Sequence, residues 1–243
     1  LPGIDVNMFK MFLVLYADDI VLFANTKEQL QNSLNSLHAY CNKWKLIVNT
    51  AKTKIMVFRK GGKLPQNLTF YYNAKSIEIV KKFTYLGIVF TSGGSFFEAQ
   101  QTLAGQAMKA MFSMNKYLHK FTDISVLHRL ELFDKLVSPI LNYSCEVWGF
   151  IEGSAIERVH MQFCKRFLGV KRTTQNDFIY GELGRMSFKN VRLYSILRYW
   201  IKIINCTENK YVSKVYSMLK SDFENRQNVK NWCSLVRNLL CEL

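Results

Sequence analysis

Asp18 and Asp19 have the clearest capacity for chemistry in this sequence. They lie between two apolar runs, Met11–Ala17 and Ile20–Ala24, which are typical of two short strands joined by a tight turn. Adjacent carboxylates repel each other, and a divalent cation that prefers oxygen ligands would neutralise that repulsion. Magnesium fits this description, and in such a site it can activate a hydroxyl and stabilise a leaving pyrophosphate. The alternative is an ordinary hairpin turn, where aspartate is common for local hydrogen-bonding reasons.

The first third of the chain is predicted to combine short strands with one helix. Thr26 and Gln29 have the spacing of a capping box, which marks a helix start. An apolar stripe at helical spacing follows it: Leu30, Leu34, Leu37, Cys41 and Trp44. β-Branched and aromatic runs bounded by turns predict strands at Phe9–Tyr16, Ile20–Ala24, Ile55–Phe58, Leu68–Tyr72, Ser76–Val80 and Phe83–Phe90.

From Phe96 onward the pattern is helical. Pro139 is expected to end or kink a helix, because proline lacks the backbone N–H. Ser154 and Glu157 form a second predicted capping box, and Gly169 is the expected C-cap of the same helix. Four apolar stripes have helical spacing: Leu103, Ala107, Met111, Met114 and Leu118; Val126, Leu130, Phe133 and Val137; Ile156, Val159, Phe163 and Phe167; and Val191, Tyr194, Leu197, Ile201 and Ile204.

The 243-residue chain carries a strong positive charge. It has 33 Lys and Arg against 18 Asp and Glu, a net charge of +15, which indicates a polyanionic partner, either nucleic acid or an acidic membrane surface. No apolar run approaches the roughly 18–20 residues that a membrane-spanning helix needs. We therefore expect a nucleic-acid partner and no membrane. The net charge is +7 over residues 1–92, zero over 93–150 and +8 over 151–243.

The cysteine spacing gives no sign of a disulfide framework. The six cysteines form no CxxC pair, which favours a reduced, intracellular protein of the nucleus or cytoplasm. His160 and Cys164 stand four residues apart, a spacing that suits a shared metal ion. They lie in an amphipathic helix with no second pair nearby, so packing in the core is the favoured interpretation over a zinc site.

Several short motifs follow one another in a fixed order. They are Tyr16-Ala17-Asp18-Asp19, Trp44-x-Leu46-x-Val48-Asn49-x-x-Lys52-Thr53-Lys54, Tyr85-Leu86-Gly87, Pro139-x-Leu141-x-Tyr143-x-x-Glu146-Val147-Trp148-Gly149, and Phe163–Val170 followed by Tyr180–Gly184. In order and spacing, residues 9–205 resemble the reverse transcriptases of non-LTR (LINE-type) retrotransposons. The acidic motif is weak by itself, whereas the ordered set is specific.

This resemblance implies an α+β fold, with a truncated right-hand polymerase palm of antiparallel strands, an α-helical thumb and a helical C-terminal region. Residues 1–92 would hold the partial palm with the acidic hairpin and a primer-grip hairpin, 93–150 the helical thumb, and 151–243 a basic helical region. The implied reaction is RNA-directed DNA synthesis by nucleotidyl transfer to a primer 3′-hydroxyl. It uses Mg²⁺, deoxynucleoside triphosphates, an RNA template and a DNA primer.

The resemblance also implies roles for residues near the acidic pair. Asp18 would ligate the metal ion directly, and Asp19 would share the coordination or tune the charge. Tyr16 would pack against the incoming nucleotide or the primer end, although strand packing explains it equally well. Lys52 would protonate or neutralise pyrophosphate, its alternative being a solvated lysine in a turn. Lys54 would contact a backbone phosphate.

Other residues are implied to contact nucleic acid farther along the chain. Leu86 and Gly87 would approach the primer terminus closely, because glycine has no side chain to obstruct the contact; a plain hairpin is the alternative. Four cations would contact template phosphates, although a position at the negative end of a helix dipole also explains them: Lys165, Arg166, Lys171 and Arg172.

Polymerases of this class take a third carboxylate from a strand that precedes the acidic motif. Only 17 residues precede Asp18, so we expect the chain to be the C-terminal half of such an enzyme and to lack catalysis alone. Two other hypotheses stay open. The basic surface binds RNA or an RNA–DNA duplex without catalysis, or the chain is an inert relic of a decayed element.

Overall fold

The computed structural model describes residues 3–6, 9–65, 67–118, 120, 124–206, 210–225 and 229–242. Short strands and one helix form the first third, and helices form the rest, which confirms the predicted α+β class. The strands are β1 (Ile4–Val6), β2 (Phe9–Met11), β3 (Leu13–Tyr16), β4 (Asp19–Leu22), β5 (Tyr71–Tyr72), β6 (Lys75–Ser76), β7 (Lys82–Tyr85) and β8 (Ile88–Thr91). The helices are α1 (Lys27–Lys43), α2 (Phe97–Leu118), α3 (Val126–Leu136), α4 (Ser138–Leu141), α5 (Cys145–Trp148), α6 (Ser154–Phe167), α7 (Asn176–Leu183), α8 (Phe188–Ile204), α9 (Lys210–Asn225) and α10 (Trp232–Glu242).

The chain divides into two compact units, each with its own buried apolar cluster. The first unit comprises Leu1–Thr84, Thr91–Gly94 and Cys206–Cys233, and the second comprises Tyr85–Phe90, Ser95–Asn205 and Ser234–Leu243. Among the described residues, every strand pairs within a two-stranded sheet, in the order β1–β2, β3–β4, β5–β6 and β7–β8. The turns between paired strands therefore belong to separate two-stranded hairpins and not to one large sheet.

The first unit is organised around helix α1. Its start is as predicted: the Thr26 hydroxyl accepts a hydrogen bond from the Gln29 N–H at 3.2 Å, and the Gln29 side chain accepts one from the Asn25 N–H at 3.1 Å. The prediction that Trp44 joins the apolar stripe is wrong, because Trp44 is the C-cap residue and 59% exposed. The cluster of this unit consists of Leu34, Ile55, Phe70, Tyr72 and Ile77.

Two of the predicted strands in this unit do not form a ladder with each other, and only Ser76 of the second run lies in a strand, β6. The runs Ile55–Phe58 and Ser76–Val80 meet only at an isolated parallel bridge between Ile55 and Ile79. The apolar residues of both runs are satisfied by packing, since Ile55 and Ile77 are buried in the cluster and Ile79 packs against it. Burial rather than strand pairing explains the alternating pattern there.

The second unit buries most of the predicted stripes of α2, α3 and α6, but the prediction for Val126 is wrong, because this residue is 61% exposed. Ala107, Met111, Phe133 and Val137 are fully buried, and the Phe133 ring stacks on Phe163 with 3.9 Å between ring centres. Helix α3 ends before Pro139, which lies in the first turn of α4. This is the predicted helix break, at a position where the missing N–H is tolerated.

Helix α6 ends as predicted but begins differently. Gly169 has φ of +67°, and its N–H and that of Val170 donate to the carbonyls of Arg166 and Lys165, which is the Schellman C-cap pattern. The Ser154–Glu157 capping box is wrong, because Gly153 is the N-cap and no side chain caps the helix. The Glu157 carboxylate is instead drawn to partners on other elements.

The face that α8 buries differs from the prediction. Tyr194 and Ile201 are exposed, and the buried residues are Phe188, Arg192, Ile196 and Ile203. The Arg192 guanidinium lies 5.8 Å from the centre of the Trp148 ring. Within the described structure its Nε and Nη1 have no hydrogen-bond partner, and burial lowers its pKa against the attraction of Glu157 and Cys145. Because Arg192 lies in the core, the buried face of α8 is not the face that carries the apolar stripe.

In the part of the chain that the structure describes, no helix is both long and apolar enough to cross a membrane.

Candidate nucleotidyl-transfer and nucleic-acid site

The acidic pair lies at the end of the β3–β4 hairpin. The strands pair antiparallel with Leu13 opposite Leu22 and Tyr16 opposite Asp19, so Ala17 and Asp18 form a two-residue turn. Opposed residues of an antiparallel pair project from the same face with their Cβ atoms about 4.5–5.5 Å apart. Tyr16 and Asp19 are therefore neighbours on one face, and Asp18 occupies the turn. We call residues 16–19 the acidic tip.

The backbone of the acidic tip is strained. Ala17 has φ of +50°, whereas Asp18 is not among the positive-φ residues, which matches the type II′ hairpin turn. Glycine is the usual residue at that first turn position, because a Cβ costs energy in the left-handed region. Strain of this kind collects at functional sites, where the surrounding structure fixes the conformation.

The acidic tip projects into solvent while the other end of the hairpin is anchored. Tyr16 is 61% exposed, and Ala17, Asp18 and Asp19 are exposed as well. Leu22, at the far end of β4, packs against the apolar cluster of the first unit. The tip is therefore open to a ligand instead of being turned into the core.

The donor set of the tip suits a partly hydrated Mg²⁺. This ion usually keeps several waters and binds through one or two carboxylates together with substrate phosphates. Asp18 and Asp19 provide two adjacent, exposed carboxylates of that kind. Among the residues that the structure describes, no group of three or more His, Cys, Asp and Glu side chains is arranged to hold a metal ion.

Lys52 and Lys54 lie in the same unit but in different surroundings. Lys52 is exposed, in a turn where its N–H donates to Asn49 Oδ1 at 3.1 Å. The Lys54 ammonium pairs with Oε2 of Glu78 at 2.6 Å, and its side chain is 26% exposed. The Lys52 charge is therefore directed to solvent, whereas Lys54 is already neutralised by a neighbouring carboxylate.

The β7–β8 hairpin turns at Leu86 and Gly87. Their φ angles are +47° and +80°, and two consecutive positive values define a type I′ turn. Both residues are exposed. The Tyr143 hydroxyl donates to the Leu86 carbonyl at 3.0 Å, and a Cβ added to Gly87 would lie 3.2 Å from Cε1 of the Tyr143 ring. The backbone angle and the close approach of the Tyr143 ring both favour glycine at position 87.

The four predicted template-binding cations meet at the C-terminal end of α6. The C-cap brings the loop after the helix back toward its last turn, and the Lys165 ammonium donates to the Arg172 carbonyl at 2.9 Å. Arg166 lies over the Phe112 ring at 5.4 Å. Lys171 and Arg172 are exposed. We call residues 165, 166, 171 and 172 the basic corner.

His160 and Cys164 are core residues. Both are fully buried, and burial raises the pKa of the Cys164 thiol to about 11. The two ring nitrogens of His160 are engaged: Nε2 accepts from Nε of Arg185 at 3.1 Å, and Nδ1 lies 3.3 Å from Oε1 of Glu157. A buried thiol and an imidazole with both nitrogens occupied favour packing over metal binding.

Glu157 is the centre of a partly buried polar network that the sequence did not reveal. Its carboxylate accepts from the Tyr180 hydroxyl and, at 3.0 Å, from the Phe188 N–H. Burial alone would raise the pKa of the carboxyl, but the hydrogen bonds from His160, Tyr180 and Phe188 outweigh it and the pKa is lowered. The i, i+3 spacing of Glu157 and His160 was the only signal in the sequence.

Comparison with known proteins gives a family match over the first third of the chain and two relatives from transposons. Residues 4–90 match the family model for reverse transcriptase (RNA-dependent DNA polymerase). A transposon-derived protein of Caenorhabditis elegans is 28% identical over 169 residues, which cover 67% of this chain and 58% of the worm protein. The Drosophila melanogaster protein named "Probable RNA-directed DNA polymerase from transposon BS" is 23% identical over 158 residues, or 63% of this chain and 17% of the fly protein. No solved structure matches the chain.

The match to the reverse transcriptase model thus covers the acidic tip and the turn at Leu86 and Gly87. This match and the two transposon relatives support the prediction of a fragment of a retrotransposon reverse transcriptase. The chain spans 58% of the length of the worm relative and 17% of the fly relative.

Proposed function

We propose that the chain is the part of a non-LTR retrotransposon reverse transcriptase that combines a palm hairpin, a primer grip and a thumb. Residues 1–92 correspond to the partial palm, 93–150 to the thumb and 151–243 to the basic helical region. In the intact enzyme the reaction is nucleotidyl transfer to the 3′-hydroxyl of a DNA primer paired with an RNA template. The observation that supports this most directly is the exposed pair of carboxylates on a strained hairpin turn.

Asp18 and Asp19 would hold Mg²⁺ at the acidic tip. A bound ion of this kind supplies charge stabilisation to a transferring phosphoryl group and lowers the pKa of an attacking hydroxyl. Asp18 serves as the direct ligand, and Asp19 adds a second carboxylate from the adjacent strand. Tyr16 presents an exposed ring beside Asp19 for a base or sugar to pack against. Lys52 offers an exposed ammonium to the triphosphate.

The basic corner supports binding of the template strand. Its cations converge at one helix end, and Lys171 and Arg172 are exposed. A cation that neutralises a phosphate releases counterions, so each contact adds about 0.9 to the slope of log affinity against log salt for a duplex. The corner and the net charge of +15 also support the second candidate function, binding of RNA or an RNA–DNA duplex without catalysis.

The two candidate functions are separated by one assay series. The full chain is titrated against a DNA primer annealed to an RNA template, and extension of the primer is followed with Mg²⁺ and deoxynucleoside triphosphates. Extension that Asp18→Asn abolishes establishes catalysis, whereas salt-dependent binding without extension establishes the binding function. Affinity that does not fall between low and physiological salt would contradict both.

A double variant tests the basic corner within that series. Lys171→Gln with Arg172→Gln removes two exposed cations, and we expect the salt slope to decrease by about 1–2. Lys109→Gln, which removes an exposed cation from α2, is the control for net charge. If the salt slope decreases by the same amount per removed charge in the double variant and in Lys109→Gln, the basic corner has no special part in binding.

A further inference from the structure

The turn at Leu86 and Gly87 is held from outside the hairpin. The carbonyl oxygen of Leu86 accepts a hydrogen bond from the Tyr143 hydroxyl at 3.0 Å, although the two residues are 57 positions apart. The Tyr143 ring lies against Gly87, within 3.2 Å of the place where a Cβ would be. The ring and its hydroxyl therefore fix both residues of the turn.

The turn needs such support because its first residue is strained. Leu86 has φ of +47°, a region in which the Cβ of a leucine is crowded against the backbone. Residues held in this way persist only where neighbouring groups determine their conformation, and they cluster at ligand-binding positions. The hydrogen bond from Tyr143 is a specific group of that kind.

Tyr143 is itself anchored to the core of its unit. The Trp148 indole Nε1 donates to the Tyr143 carbonyl at 2.9 Å, and Trp148 is only 1% exposed. The support thus runs from a buried indole, through the Tyr143 backbone and hydroxyl, to the peptide between Leu86 and Gly87. All of these residues belong to the second unit.

The hydrogen bond also sets the direction of the Gly87 N–H. In a trans peptide the carbonyl and the N–H point in opposite directions. Because Tyr143 holds the Leu86 oxygen on its own side, the N–H of Gly87 points away from Tyr143, and Gly87 is exposed. A backbone N–H on an exposed turn is a suitable donor to a phosphate oxygen.

We propose that Tyr143 is a positioning residue that fixes the Leu86–Gly87 peptide and thereby presents the Gly87 N–H to a backbone phosphate at the primer end. This inference rests on the proposed primer-binding function of the chain. Tyr143 does not touch the reacting atoms. It acts through the turn, and its hydroxyl is the group that a conservative change can remove.

The test compares Tyr143→Phe with the unmodified full chain. Phenylalanine keeps the ring against Gly87 and leaves the Trp148 bond intact, since that bond is made to the backbone. The matched control is Tyr194→Phe, which removes the hydroxyl of an exposed tyrosine on α8. Affinity is measured for an RNA–DNA duplex with a recessed primer 3′ end and for a continuous duplex of the same length.

We expect the unmodified chain to bind the recessed end more tightly than the continuous duplex. Tyr143→Phe should lose about fivefold in affinity for the recessed end, because it loses one positioning hydrogen bond. Affinity for the continuous duplex stays unchanged. A recessed-end preference that Tyr143→Phe retains overturns the role of Tyr143 and leaves the proposed function in place. A chain without any such preference contradicts the proposed primer binding and the role of Tyr143 with it.

A spectroscopic readout separates positioning from general folding. The chain has 12 glycines, so selective ¹⁵N-glycine labelling gives a countable set of amide resonances. Tyr143→Phe should shift or broaden the Gly87 resonance while the glycines of the first unit keep theirs, and Tyr194→Phe should leave Gly87 unchanged. An unmoved Gly87 resonance in Tyr143→Phe would overturn the proposal.

Discussion

The Lys54 ammonium lies 2.6 Å from Oε2 of Glu78, and this pair joins two segments that are 24 residues apart in sequence. The Glu78 side chain is 66% exposed and the Lys54 side chain 26%, so solvent screens the pair and its contribution to stability is about 0–1 kcal/mol. Its effect on binding is larger, because a paired lysine offers less net charge to a phosphate.

Glu78→Gln is therefore predicted to strengthen nucleic-acid binding. The change releases Lys54, and the slope of log affinity against log salt should steepen by about 1 as one more phosphate contact becomes available. Duplex affinity measured over a salt series checks this. Lys54→Gln in the Glu78→Gln background serves as the control and should return the slope to its original value. A slope that Glu78→Gln leaves unchanged would show that Lys54 does not reach nucleic acid.

The strain at Ala17 predicts an unusual response to glycine. Ala17→Gly removes the steric cost of a Cβ in the left-handed region, which is about 1–2 kcal/mol. It adds a cost of about 0.5–1 kcal/mol, because glycine loses more chain entropy on folding. Amide exchange of residues 13–22 should therefore be equal or slower in the variant. The matched control is Ala39→Gly, at an exposed position within α1, where glycine costs about 1 kcal/mol. Faster exchange in the hairpin, comparable to the loss in α1, would argue against a strained turn.

Protonation of the Glu157 carboxyl is predicted to lower the stability of the folded chain at acid pH. Its pKa is lowered in the folded chain, so the stabilisation it gives is complete above the unfolded value of about 4.3 and is lost as pH falls through the lower folded value. Glu157→Gln should be destabilised near neutral pH by about 1–3 kcal/mol, through imperfectly matched hydrogen bonds. Its free energy of unfolding should also change less between pH 5 and 3.

Urea unfolding from pH 3 to pH 7 measures this dependence. The exposed Glu152 provides the control, as Glu152→Gln removes a carboxyl from the same region without touching the network around His160. If Glu157→Gln and the unmodified chain lose stability in parallel below pH 5, the Glu157 carboxylate is not responsible for the decrease in the free energy of unfolding at acid pH.

Features governed by neighbouring residues could be predicted from the sequence. The capping box at Thr26 and Gln29 and the C-cap at Gly169 are both formed within a few residues, and both occur. The hairpin at the acidic pair follows from two short apolar runs around a turn. The order of the motifs predicted the reverse transcriptase family, whose model matches residues 4–90.

Features governed by distant partners could not be predicted. Glu157 has capping-box spacing to Ser154, but its hydrogen-bond partners Tyr180 and Phe188 are 23 and 31 residues away. The carboxylate bonds to these partners instead of to a backbone N–H at the start of α6. Arg192 is buried against Trp148, so the buried face of α8 does not follow the apolar stripe. Ile55 makes only an isolated bridge to Ile79, and its side chain is buried in the apolar cluster of the first unit.

Cation binding at the acidic tip is the central claim, and a Mn²⁺ titration followed by electron paramagnetic resonance tests it most directly. Mn²⁺ replaces Mg²⁺ as the probe, and the full chain is titrated with the primer–template duplex present. Asp18→Asn should weaken binding about tenfold or more through loss of one carboxylate ligand. Asp177→Asn, at an exposed aspartate of α7, should bind like the unmodified chain. Equal Mn²⁺ affinity in Asp18→Asn and the unmodified chain would contradict a metal-binding role for the tip.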